Sequence, residues 1–159
     1  MSIDAAGIMT TRVIAAGPDD TVAQVARLLA MNQISAMPVC DAEGDLLGKL
    51  SESDLLRPFT TEMETRRAWW LRLLAEGTDL APDFLNYVRE DQRRAKDLMV
   101  TPVISVTERT SVREVADIMM RHHIKRVPVL RDGKIVGIVA RADLVRAIAS
   151  SPDALSESL

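Results

Sequence analysis

One stretch of this chain occurs twice, and that repetition restricts the fold more than any other feature. Residues 124–146 read Ile-Lys-Arg-Val-Pro-Val-Leu-Arg-Asp-Gly-Lys-Ile-Val-Gly-Ile-Val-Ala-Arg-Ala-Asp-Leu-Val-Arg, and residues 34–57 repeat the Ile, Pro-Val, both Gly, Asp-Leu and Arg in register. Extended backwards, 8–57 pairs with 98–146 at an offset of 90, which falls to 89 after one extra residue near Glu43. Met9 then matches Met99, Thr11 matches Thr101, Val22 matches Val112, and Val25-Ala26 matches Val115-Ala116. Repetition on this scale means two copies of one supersecondary unit that share a core. The sequence divides into repeat 1 at 8–57, an insert at 58–97, repeat 2 at 98–148 and a tail at 149–159.

Each copy reads as strand, helix, strand, strand, helix. Thr21-x-x-Gln24 and Ser111-x-x-Glu114 fit the capping box, in which a hydroxyl and the side chain three residues on satisfy free amides at a helix start. Val22, Val25, Ala26 and Leu29, with Val112, Val115, Ala116 and Met119, follow at helical spacing. Residues 36–40 and 126–130 are short strands, with Pro38 and Pro128 expected at an edge or strand start. Asp132-Gly133 is a two-residue hairpin signal leading into 135–139, and the loop 41–45 does the same in copy 1. Second helices open near Ser53 and Ala142. Residues 1–7 read as an arm or short first strand, and residues 150–159 as a frayed tail.

The insert is too long to lack structure of its own. Thr61-x-x-Glu64 is another capping-box pattern, 66–76 is rich in helix formers, Gly77 is placed to end that helix, and 82–92 reads as a second one. All five aromatic residues, Phe59, Trp69, Trp70, Phe84 and Tyr87, lie in this insert, so neither repeat can stack a base on a ring of its own. Trp69 and Trp70 diverge by about 100° on a helix, which leaves one for a partner or ligand unless both roof the repeats.

The single Cys40 falls in an apolar strand and cannot pair within the chain, which fits a reducing compartment and a buried, inert thiol. There is no apolar run long enough to span a bilayer and no basic-then-apolar leader, so a cytoplasmic protein is expected. Repeat 1 carries four basic and seven acidic residues, and repeat 2 carries nine and five. The copies have diverged electrostatically. Basic residues without interleaved aromatics disfavour nucleic-acid binding. No nucleophile has a base beside it, and His122-His123 diverge on a helix with no third ligand nearby, so neither a catalytic nor a metal site is expected.

Ser51-Glu52-Ser53-Asp54 ends a strand and opens a helix. Amides at a helix start attract phosphate, a hydroxyl can donate to it, and a carboxylate can accept from ribose hydroxyls. The same spacing is also a plain capping box, and spacing alone leaves both readings open. The double unit, with its Ile-x-x-x-Pro-Val strand and terminal Ser-x-x-Asp-Leu, resembles the CBS domain named after cystathionine β-synthase.

That resemblance implies an α/β fold: a tandem CBS-domain pair of two β-α-β-β-α repeats around a pseudo-twofold axis, here with a helical insert. It implies two composite clefts that in many members bind adenosine compounds such as AMP, ADP, ATP or S-adenosylmethionine. Carried over, the preferred cleft takes Ser51 and Asp54 with Ile104, Ile124, Lys125 and Arg126; the weaker takes Asp143 and Arg141 with Ile14, Ile34, Ser35 and Ala36. Ala140 replaces the second hydroxyl, and the two cations of the first cleft favour a polyphosphate there. The Arg-Arg-Ala-Trp-Trp insert is similar to that of a subset of bacterial CBS-pair proteins, many of which continue into a BON domain. The resemblance implies a homodimeric, non-catalytic regulatory module for a protein that the sequence does not identify. An oligomerisation or docking piece with empty clefts is the alternative, favoured by Ala140 and the Trp pair.

Overall fold

The computed structural model describes residues 3–62 and 91–155. The chain divides into two compact units, and neither follows one repeat from end to end. One joins residues 14–39 with 47–101; the other joins residues 1–13 and 40–46 with 102–159.

In the first unit, α2 (Val22–Asn32) starts at Thr21, whose hydroxyl accepts from the Gln24 amide at 3.1 Å while the Gln24 side chain accepts from the Thr21 amide at 2.8 Å. That capping box satisfies two of the free donors at the helix start. The chain leaves the helix through Gln33 in the left-handed region, φ 53°. It then forms β1 (Ala36–Cys40), the loop and β2 (Leu46–Ser51), and enters α3 (Glu52–Glu62). Val22, Val25, Leu29, Val39 and Leu50 are buried here, the helical positions coming from one face of α2. The first strand expected in this copy is reduced to a bridge from Ala16 to Val39.

The other unit carries the full pattern. β3 (Val106–Thr107) pairs parallel with β4 (Arg126–Arg131), and β4 pairs antiparallel with β5 (Lys134–Ala140). Asp132 and Gly133, both at positive φ, make the two-residue turn between them. α5 (Val112–Arg121), capped by Ser111, buries Val112, Val115 and Met119, and α6 (Arg141–Ser150) follows β5 directly. Pro128 stands in the middle strand of three, not at a sheet edge. It is tolerated because β3 meets β4 only at Val129 and Leu130, leaving Pro128 at the margin of that pairing. Arg131 pairs with Glu108 beyond β3, and its hydrogen bonds hold the Glu108 carboxyl below the usual carboxylate range.

The short segments ahead of the repeats are exchanged. Residues 5–8 are not an arm or strand but a single helical turn, α1 (Ala5–Ile8), with the Asp4 carboxylate accepting from Gly7 N–H. Ala5 N–H donates to Thr110 O at 2.8 Å, and Thr10 exchanges backbone bonds with Ile138, so the segment ahead of repeat 1 packs on repeat 2. The matching turn α4 (Ala95–Leu98), ahead of repeat 2, packs on repeat 1: Ala95 N–H donates to Asp20 O at 2.9 Å, and Val100 exchanges bonds with Lys49.

Two further expectations differ. Thr61 does not cap a new helix, since α3 continues past Pro58 to Glu62. The tail is not frayed throughout: residues 152–155 form a 3-10 turn, opened by Pro152, that contacts α5 and α6. The helix expected over 66–76, its stop at Gly77 and the Trp69-Trp70 pair lie outside the described residues. So does most of the helix expected over 82–92, whose last positions, Asp91 and Gln92, are not helical.

Candidate functional site

The two carboxylates singled out by the repeat occupy equivalent places, three residues after the end of β2 and of β5. Asp54 is 8% exposed and Asp143 5%, so both carboxylates are buried. A buried carboxylate is costly unless hydrogen bonds satisfy it.

Around Asp54 they do. Its Oδ2 accepts from the Ser51 amide at 2.9 Å and from the Ser51 hydroxyl at 2.7 Å, and Arg57 Nη2 stands 3.6 Å from Oδ1. The Asp54 amide donates back to Ser51 Oγ at 3.3 Å. Glu52 N–H donates to Ser35 O at 2.9 Å, which ties the entry of β1 to the start of α3. Ser51, Asp54 and Ser35 are therefore brought together within one unit, which also holds Ile14, Ile34 and Ala36.

The second set has the same frame without the hydroxyl. Asp143 Oδ2 accepts from the Ala140 amide at 2.7 Å, and Arg146 pairs with Oδ1. Arg141 N–H donates to Lys125 O at 3.2 Å, and the β4–β5 register sets Arg126 directly across from Ala140. Lys125, Arg126 and Arg141, all exposed, thus share a unit with Asp143, Ile104 and Ile124. The cations that the resemblance sets with Ser51 and Asp54 are, by backbone pairing, neighbours of the Ala140 strand end.

Sequence reasoning overlooked two features. Arg57 and Arg146 each meet the carboxylate three residues before them; the signal was the Arg that closes both copies in register. An open pocket of about 420 Å³ lies along α6, lined by Ile8, Met9, Thr10, Asp143, Arg146 and Ser150. Its α1 wall depends on the exchanged leader, for which the repeat gave no signal.

Elsewhere the chemistry is sparse. Cys40 is buried, and burial first, then the charges of Asp41 and Asp45, push its thiol pKa up, which suits an inert thiol. His122 and His123 are exposed, and among the described residues no three His, Cys, Asp or Glu side chains gather as a metal site. No described helix is long and apolar enough to cross a membrane.

Comparison with known proteins fits this geometry. The CBS domain family model matches twice, over residues 5–60 and 95–150. The uncharacterized protein MJ1426 of Methanocaldococcus jannaschii is 30% identical over 142 residues, covering 82% of each chain. The solved CBS domain of a CBS domain-containing membrane protein from Sphaerobacter thermophilus is 33% identical, with a TM-score of 0.69 over 91% of this chain and 87% of that one. CBSX2 of Arabidopsis thaliana, solved in complex with AMP, shares the fold at 24% identity and a TM-score of 0.70, covering 94% of this chain and 98% of that one.

Proposed function

Because the chain belongs to the CBS-domain family, we propose that it is a non-catalytic regulatory module that binds an adenosine compound and changes its shape or its self-association in response. The ligand class is AMP, ADP, ATP or S-adenosylmethionine, and the working form is a homodimer in the cytoplasm. The observation that carries this reading is the buried Asp54 carboxylate, hydrogen-bonded to the half-buried Ser51 at the start of an 11-residue helix. A hydroxyl at a helix start suits phosphate, and a carboxylate suits the ribose diol. Aliphatic residues, Ile14, Ile34, Ile104 and Ile124, are assigned to adenine, which needs no aromatic ring. A protein of the same fold is known with AMP bound, which supports the ligand class at the level of the fold.

Ser51 and Asp54 remain the principal ribose and phosphate residues in this proposal, with Lys125 and Arg126 for the anionic end. Asp143 and Arg141, with Ser35 and Ala36, form the second set. The position of Arg126 across from Ala140 makes the division of cations between the two sets the point to test. Asp54→Ala should lose a charge-assisted hydrogen bond worth about 1.5–3 kcal/mol, roughly 10- to 150-fold in Kd for AMP or ATP by calorimetry. A double-mutant cycle of Arg126→Ala with Asp54→Ala and with Asp143→Ala reads which carboxylate shares a ligand with Arg126. Unchanged affinity in Asp54→Ala and Ser51→Ala would remove both from the site.

A second reading has its own observation. Both Asp143 oxygens are already engaged by the Ala140 amide and Arg146, and Ala140 offers no hydroxyl. A chain whose carboxylates serve only as helix caps would be an oligomerisation or docking module, and it would bind none of these compounds.

A further inference from the structure

Each leader turn, α1 and α4, is followed at once by a methionine that rests on a buried glycine. A Cβ placed on Gly137 of β5 would come within 2.4 Å of the Met9 sulfur, so the thioether lies directly on the backbone of the strand. Beside it, Ile3 and Ile8 pack with Met9 against the core that holds Val127, Val129 and Val139. A few backbone bonds fix the segment. Ala5 N–H donates to Thr110 O at 2.8 Å and Ala6 N–H to Glu108 O at 3.0 Å; Val112 N–H donates to Ile3 O at 3.0 Å and Ile138 N–H to Thr10 O at 2.9 Å. Met9 is half-buried and also lines the open pocket along α6. Other methionines differ. Met31 and Met120 are exposed, whereas Met37 and Met119 are buried in the two cores. Met9 is both open to a small solute and seated where a change in its chemistry would be felt.

We propose that Met9 is an oxidation site, at which hydrogen peroxide converts the thioether to the sulfoxide and so releases the leader from repeat 2. A sulfur lone pair attacks one peroxide oxygen, and the O–O bond breaks as the S–O bond forms. The sulfur is oxidised by two electrons, and the departing oxygen takes both protons and leaves as water. Hydrogen peroxide is little larger than water, and a pocket of about 420 Å³ gives it room to reach the side chain. The product no longer suits its seat. Oxidation turns a flexible apolar side chain into a polar one, and a polar oxygen set among apolar groups without a partner is costly. On the glycine side there is no room even for a Cβ. A four-residue turn held by few bonds belongs to the part of a fold that opens most readily. Its departure would strip from the pocket the wall that Ile8, Met9 and Thr10 supply, leaving Asp143, Arg146 and Ser150 on α6. Sulfoxide reductases regenerate the thioether, so the change is reversible. The inference goes beyond the ligand reading and needs neither a nucleotide nor a second copy of the chain.

The test treats the full chain with hydrogen peroxide, locates sulfoxides by peptide mass spectrometry and follows amide hydrogen exchange by NMR. As Met9 oxidises, the amides of Ala5, Ala6, Val112 and Ile138 should exchange roughly ten- to a hundredfold faster. Reductases for both sulfoxide epimers, supplied with a dithiol, should restore the original rates. In Met9→Leu, which nearly conserves volume, the same treatment should leave these amides protected. Oxidation of Met99 is read separately, through the amides of Ala95, Lys96 and Lys49. A Met9 as slow to oxidise as Met37 and Met119 would overturn the proposal. So would an oxidised Met9 with its amides still protected, rates that stay high after reduction, or an equal loss of protection in Met9→Leu. The reversal is measured on wild type, so it decides the matter even where Met9→Leu folds poorly.

Discussion

At position 140 one missing hydroxyl separates two otherwise equivalent helix starts. Ser51 donates its hydroxyl proton to Asp54 and accepts from the Asp54 amide, whereas Ala140 offers Asp143 only its backbone N–H. An N-cap hydroxyl in place of Ala is worth about 0.5–2 kcal/mol. Ala140→Ser should therefore stabilise the chain by that order in a urea titration, and should tighten any ligand held by Asp143. A stability unchanged or lowered would mean that the new hydroxyl cannot reach the Asp143 amide. The pattern Ser-x-x-Asp was readable from residues alone, because a helix start is local chemistry. Its division of labour was not, because capping and ligand binding require the same groups. The Arg57 and Arg146 contacts were hidden for a similar reason: a terminal Arg in register says that the position matters, not which atom it meets.

At the scale of elements, the four helices of the two repeats and both hairpins followed from period, capping and turn chemistry, as did the buried faces of α2 and α5. Val112, Val115 and Met119 are buried as their spacing requires, and Asp132-Gly133 turns as its residue types allow. The exchanged leaders did not follow, since backbone pairing between residues more than fifty positions apart leaves no local pattern. Once the structure is in hand, they explain a residue choice. Met9 lies so flat on Gly137 that a Cβ there would sit 2.4 Å from its sulfur and 2.8 Å from its Cγ, and Met99 lies on Gly48 in the same way, with 2.6 and 2.9 Å.

Because the clash reaches into the stem of each methionine, a swing of the sulfur alone would not relieve it. Gly137→Ala should cost about 1–3 kcal/mol by overpacking, measured by chemical denaturation. Combined with Met9→Ala, it should cost clearly less than the sum of the two single changes. Additive losses would show that the leader does not depend on this close approach.

For the whole molecule, repetition made the architecture legible and divergence made the function partly so. The CBS-pair fold could be recognised because two copies agree in register over most of their length. The units by which the chain actually packs could not, because each takes its leader from ahead of the other repeat. The surplus of base in repeat 2 was countable from sequence, but its grouping required strand register: Arg126 faces Ala140, and Arg141 N–H reaches Lys125 O. In the proposed function those cations serve the anionic end of the ligand, and the Ser51–Asp54 pair serves its ribose and phosphate.

The central claim is that an adenosine compound binds, and thermal unfolding of the nucleotide-stripped chain tests it most directly. AMP, ADP, ATP and S-adenosylmethionine would each be added at about 100 times a trial Kd, where bound ligand adds about 2.7 kcal/mol, a rise of roughly 5–10 °C for a chain of this size. The account predicts such a rise with at least one of them, and its loss in Asp54→Ala. No rise with any would contradict it, and would leave the docking module as the reading that stands.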